Sequence, residues 1–129
     1  MKKAEFRSIA PQFVVPDVRR TAEWYRDNLG FEILGYFFAE PPVYGIVRRG
    51  NVEIHFGRSD SGTIRSNAEL RPGLGNDAYI FVDDVVALHQ ELLACGVEIV
   101  EGPVTRTYDC VEITIRDCNG MLIVFGASI

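Results

Sequence analysis

The chain has 129 residues, of which 47% are hydrophobic and 24% charged, and it carries a net charge of −5. That length suits one domain with a sizeable buried core. The acidic balance, with no basic cluster beyond Arg19-Arg20 and Arg48-Arg49, argues against a nucleic-acid binder. No apolar run approaches the ~18 residues a bilayer span needs, and the opening MKKAEFRSIAPQ lacks the apolar stretch of a secretory signal. Three cysteines, Cys95, Cys110 and Cys118, form an odd set without CxxC spacing. They fit neither a disulfide framework nor a zinc knuckle, and a reducing cytoplasm is the expected setting.

In chain order, Phe13 to Val15 reads as a short strand, and Asp17 as the N-cap of a helix. Val18, Ala22, Tyr25 and Leu29 recur at helical spacing, and Gly30 supplies the stop. FEILGYFF is the next strand, Pro41-Pro42 breaks it, and YGIVRRGNVEIHFG reads as two strands about a turn at Gly50-Asn51. Arg58 to Asn76 is polar, rich in glycine and serine, and reads as a long, mobile surface connection.

The same order then returns. Tyr79 to Val82 is a strand and Asp84 a cap, 67 residues after Asp17. Val85, Leu88 and Leu92 form the helical stripe and Gly96 ends it. VEIVEGP is a strand, and CVEITIRDCNGMLIVFG two strands about Asn119-Gly120. The chain is therefore read as a single domain, 1–129, with one repeat over about 9–57, a connection at 58–76 and a second repeat over about 77–126. A repeat whose sheet cannot bury its own face packs against its twin. The predicted class is α+β: two β-α-β-β-β repeats forming an eight-stranded curved mixed sheet, a cup with the helices outside.

Strand alternation nominates the residues inside the cup. In VEIHF, Val52, Ile54 and Phe56 share one face and Glu53 and His55 the other. In CVEITIR, Val111, Ile113 and Ile115 share a face, leaving Cys110, Glu112, Thr114 and Arg116 opposite. The apolar faces should meet the helices and the mixed faces line the cavity. Phe38, Tyr44, Tyr108 and Trp24 are aromatics available at its mouth. The candidate ligand-binding set is Phe38, Tyr44, Glu53, His55, Tyr108 and Glu112. Carboxylates in a partly dry cavity suit a cationic or amine-bearing ligand.

The segments VPDVRRTAEWYRDNLGFEI, YIFVDDVVALHQELLACGVEI and IRDCNGMLIVFG resemble the vicinal-oxygen-chelate superfamily, which includes glyoxalase I, extradiol dioxygenases, fosfomycin resistance enzymes and bleomycin resistance proteins. The resemblance runs from about Ile9 to Gly126. It implies metal-ligand positions at Ala10, at Glu53 with His55 two residues on, at Asp77 and at Val124. Alanine and valine cannot ligate, and a one-residue shift offers only Pro11, Ile123 or Phe125. Catalytic metal sites normally want three protein ligands, so no metal and no cofactor are expected. What remains resembles the bleomycin resistance branch. That branch implies a homodimer that binds a small organic or antibiotic-like ligand in clefts shared by two chains; the cytoplasmic setting, and neither nucleic acid nor membrane as partner, are expected from the composition. The alternative is a lyase, isomerase or dioxygenase of the same superfamily, dependent on a divalent metal or metal-free with Glu53 as general base.

Overall fold

A computed structural model describes residues 1–129. Both halves fold as β-α-β-β-β. The first contains β1 (Gln12–Val15), α1 (Val18–Leu29), β2 (Glu32–Phe37), β3 (Tyr44–Arg49) and β4 (Val52–Arg58). After a connection holding the short α2 (Asn67–Leu70), the second contains β5 (Ala78–Phe81), α3 (Val85–Ala94), β6 (Ile99–Thr105), β7 (Cys110–Arg116) and β8 (Leu122–Ser128). No helix is long and apolar enough to cross a membrane.

The caps explain where the main helices begin and end. The Asp17 carboxylate accepts from the Arg20 N–H and that of Asp84 from the Ala87 N–H, each satisfying a backbone donor that the first helical turn leaves free. Gly30 closes α1 in the left-handed region at φ 70°, which a side chain would resist. The connection is less free than its composition suggests. Ser66 caps α2, and the Asp77 carboxylate accepts from the backbone N–H groups of Asn67 and Leu122. A four-residue helix has no amphipathic period, which is why composition alone read this segment as an unstructured loop.

The eight strands fall into two open sheets of four, in the orders β1-β4-β3-β2 and β5-β8-β7-β6. In each, the first strand runs parallel to the last, and the other pairs are antiparallel. Register shifts interrupt β2 at Ile33/Gly35 and β6 at Ile99/Glu101 and Glu101/Val104. Helix α1 packs on the first sheet and α3 on the second.

One core of twenty residues draws on both halves. The predicted stripes supply it: Val18, Ala22, Tyr25 and Leu29 from α1, and Val85, Leu88 and Leu92 from α3. The helix-facing Ile54, Phe56, Ile113 and Ile115 are wholly buried. Across the halves, the Tyr25 hydroxyl donates to Asp117 Oδ2 at 2.6 Å, and the Asn119 side-chain amide donates to Thr21 Oγ1 at 2.9 Å. Arg49 donates both to the Leu29 carbonyl at the end of α1 and to the Glu91 carboxylate on α3.

Candidate functional site

The face of each sheet opposite its helix carries a polar, aromatic cluster. On the first sheet, β1, β3 and β4 bring Gln12, Tyr44, His55 and Glu53 together. His55 Nε2 lies 2.6 Å from Glu53 Oε2, and its Nδ1 lies 2.7 Å from the Tyr44 hydroxyl. The Gln12 amide donates to the same hydroxyl at 3.3 Å. The register explains the grouping, because Gln12 and Ile46 both flank His55 across the sheet. Phe38, just past the end of β2, has φ 84° and is 84% exposed, with its ring 6.2 Å from that of Tyr44. A bulky residue rarely holds a positive φ, and here that conformation leaves the ring on the surface beside Tyr44.

On the second sheet, the Glu112 carboxylate accepts from the hydroxyls of Tyr79 and Tyr108, each at 2.7 Å, and from Arg106 Nε at 3.0 Å. Arg106 is also paired with Glu101. Glu112 is only 3% exposed. Burial alone would raise its carboxyl, but the bonds from Tyr108, Tyr79 and Arg106 outweigh burial and hold it below the usual glutamate range. Burial and the bond to Glu112 push the Tyr79 hydroxyl up, and the same carboxylate, more than burial, raises that of Tyr108.

All six candidate residues thus stand in clusters, in two groups. Phe38, Tyr44, Glu53 and His55 form one, and Tyr108 and Glu112 the other. No hydrogen bond or ion pair joins them. Their chemistry differs. Glu53 Oε1 has no donor, so this half-exposed carboxylate keeps capacity for a ligand. Glu112 is saturated from within the chain. Trp24 is not at a cavity mouth: it packs edge-on against Tyr25 at 5.4 Å, on the core side of α1.

Gln12, Tyr79 and Arg106 join these clusters without having been singled out from sequence. The signal for two of them was the repeat itself. Gln12 and Tyr79 occupy matching places on the first strands, opposite His55 and Val124. The facing glycines of β4 and β8 leave them room: a Cβ on Gly57 would lie 3.6 Å from Gln12 Cδ, and one on Gly126 only 1.9 Å from Tyr79 Oη.

The same register tests the metal positions implied by the resemblance. The counterpart of Val124 is His55, and Glu53 pairs in place with Leu122. Asp77 spends both oxygens on backbone N–H groups. Ala10 and Val124 offer no donor atom, and no three His, Cys, Asp or Glu side chains converge anywhere in the chain. This donor set does not fit the three-ligand catalytic metal site.

Two β-α-β-β-β modules, each with a helix on one sheet face and a polar aromatic cluster on the other, define a paired-module α+β protein. The chain belongs to the Glyoxalase/Bleomycin resistance protein/Dioxygenase superfamily, whose profile matches residues 8–125. Among solved structures it is similar to the bleomycin-binding protein of Streptomyces verticillus, crystallised with copper(II)-bleomycin. The two are 25% identical, with 98% of this chain and 100% of that one covered at a TM-score of 0.71. It also shares its fold with a glyoxalase-related enzyme from Clostridium phytofermentans, at 16% identity, complete coverage of both chains and a TM-score of 0.78. TioX from Micromonospora sp. ML1 is similar over 96% of this chain and 100% of its own, at 18% identity and a TM-score of 0.75. Among curated proteins none matches the chain.

Proposed function

We propose that this chain is a cytoplasmic, metal-free binding protein that sequesters a small organic, antibiotic-like ligand carrying a cationic or amine group and an aromatic portion. The carrying observation is the open half of the first cluster: the spare carboxylate oxygen of Glu53, tied through His55 to the half-buried Tyr44, whose ring lies 6.2 Å from the exposed ring of Phe38. A carboxylate at the edge of an aromatic surface offers a charge-assisted bond and a stacking face together. The likeness to the bleomycin-binding protein supports this class of ligand. In this reading a homodimer brings two such faces together into shared clefts. Three free cysteines without a disulfide agree with a reducing compartment.

The test is calorimetric titration with bleomycin, with and without copper(II), and with a panel of aromatic amines, alongside light scattering for the oligomeric state. Saturable binding to a dimer is expected, weakened about tenfold or more in Glu53→Gln, as the loss of one charged hydrogen bond predicts. A monomer that binds none of these probes, or an affinity indifferent to Glu53→Gln, overturns the reading.

A further inference from the structure

Because the halves repeat, the turn joining the last two strands of one can be compared with its twin. Each turn faces the helix of the other half. In the second half Cys118, Asn119 and Gly120 lie between the paired residues Asp117 and Met121; in the first, only Gly50 and Asn51 lie between Arg49 and Val52. The longer turn seats on α1. Asp117 accepts the Tyr25 hydroxyl, and Asn119 donates to Thr21 Oγ1. The offset of 67 residues puts Leu92 and Leu88 of α3 where α1 has Tyr25 and Thr21. A leucine side chain has no polar atom with which to hold a turn, and the polar contact of the shorter turn with α3 is the ion pair of Arg49 with Glu91 at 3.0 Å. A Cβ built on Gly50 would meet nothing within 4 Å. The place that the longer turn fills on one side is left open on the other, as a cleft of about 520 Å³.

The walls of this cleft include Phe31, Ile80, Leu88 and Phe125, and Phe81 stands at its mouth, 80% exposed. A concave apolar space of this size, edged by a few polar groups, suits a small organic molecule. The rim sets the charge of that molecule. Three carboxylates, Asp83, Asp84 and Glu91, line it against the single guanidinium of Arg49. Arg49 is committed to Glu91 and the Leu29 carbonyl, and Asp84 to the Ala87 N–H. Asp83 is exposed and bonded to nothing in the chain. A cation at this rim is attracted and an anion repelled. We infer that the cleft, at the seam between the two halves, binds a small aromatic molecule bearing one positive charge, with its ring among Phe31, Phe81 and Phe125 and its charge at Asp83. The site shares no residue with the face that carries Glu53, so it is independent of the binding function proposed for that face.

The test uses two probes with one ring system and opposite charge, 1-naphthylmethylamine and 1-naphthylacetate. The full chain, labelled with nitrogen-15, is titrated with each at neutral pH and low salt and followed by its amide NMR signals. The amine should shift the amides of Asn51, Asp83 and Ala87 saturably and leave those of Gln12, Glu53 and His55 in place. The acetate should bind at least about tenfold more weakly. Asp83→Asn should weaken the amine about fivefold or more, and Glu53→Gln should leave its affinity unchanged. Ala87 is exposed in the first turn of α3, so Ala87→Phe fills the cleft without entering the core and should lower affinity at least about tenfold while the protein melts as the parent does. No saturable shift, equal affinity for both probes, or undiminished binding in Asp83→Asn or in folded Ala87→Phe each overturns the proposal. Shifts confined to Gln12, Glu53 and His55, with affinity lost in Glu53→Gln, also overturn it and leave the function proposed for that face standing.

Discussion

Replacing Tyr25 with phenylalanine should cost this protein stability out of proportion to the one oxygen removed. Asp117 is buried, and its two oxygens are served differently. Oδ1 accepts from the N–H groups of Asn119 and Met121, at 2.8 and 2.9 Å. Oδ2 accepts only the Tyr25 hydroxyl, at 2.6 Å. The ring would remain packed against Trp24, Phe31 and Phe56, so Tyr25→Phe opens almost no cavity. What is lost is one hydrogen bond to a buried charge, leaving an oxygen without a donor. The expected loss is about 2 kcal/mol, or about 7 °C in Tm for a chain of this length.

The pH dependence gives the argument a second handle. Burial raises the Asp117 carboxyl above its ordinary range, against the pull of Tyr25 and the two backbone donors. A carboxyl raised in the folded state lends stability while protonated, and that stability is lost as pH rises through its folded value. Without the hydroxyl the ionised form is disfavoured further. The deficit of Tyr25→Phe should therefore be full near neutrality and shrink as pH falls through the raised value. Urea denaturation at about pH 7 and about pH 4 measures both. A loss under about 0.5 kcal/mol at neutral pH, or an equal deficit at both, would refute the reasoning.

Two further substitutions probe the second cluster. The Glu112 carboxyl is held below its ordinary value of 4.5, so its contribution is present above that value and is lost as pH falls through the depressed one. Glu112→Gln should thus be about 2 kcal/mol less stable near neutrality and approach the parent in acid; parallel stability–pH curves would contradict this. Gly126→Ala places a Cβ 1.9 Å from Tyr79 Oη and should drive that ring off Glu112, at a cost of about 2 kcal/mol. Because Tyr79→Phe loses the same bond, the two changes together should cost less than their sum, and strict additivity would count against the mechanism. Gly57→Ala, which meets Gln12 at an ordinary 3.6 Å, serves as the tolerated comparison.

Much of this architecture was legible because local chemistry dictates it. Asp17, Asp84 and Gly30 mark helix ends through bonds and backbone angles made within a few residues. Alternation in VEIHF and CVEITIR assigned Glu53, His55 and Glu112 to the faces they occupy. The connectivity within those faces was less accessible. Tyr79 reaches Glu112 across 33 residues and Tyr25 reaches Asp117 across 92, separations no periodicity encodes. Alternation could place Glu112 on a face, but not reveal that three donors from the same chain would saturate it while Glu53 kept an oxygen free. Arg106 escaped notice because it precedes β7, outside the strand pattern that singled out its partner.

The sheet margins bear on how the protein avoids aggregation. Two open sheets have four edge strands, each a row of backbone groups on which a neighbouring chain could build. Here the edges are β1 and β5, of four residues each, and β2 and β6, whose registers are broken by shifts. A strand that short gives an incoming chain little to pair with, and a bulged one twists away from it. Every margin is therefore blunted, and in the same manner in both halves. Deletions that remove the extra residues and straighten β2 or β6, more than any change in the core, would expose this chain to edge-to-edge polymerisation.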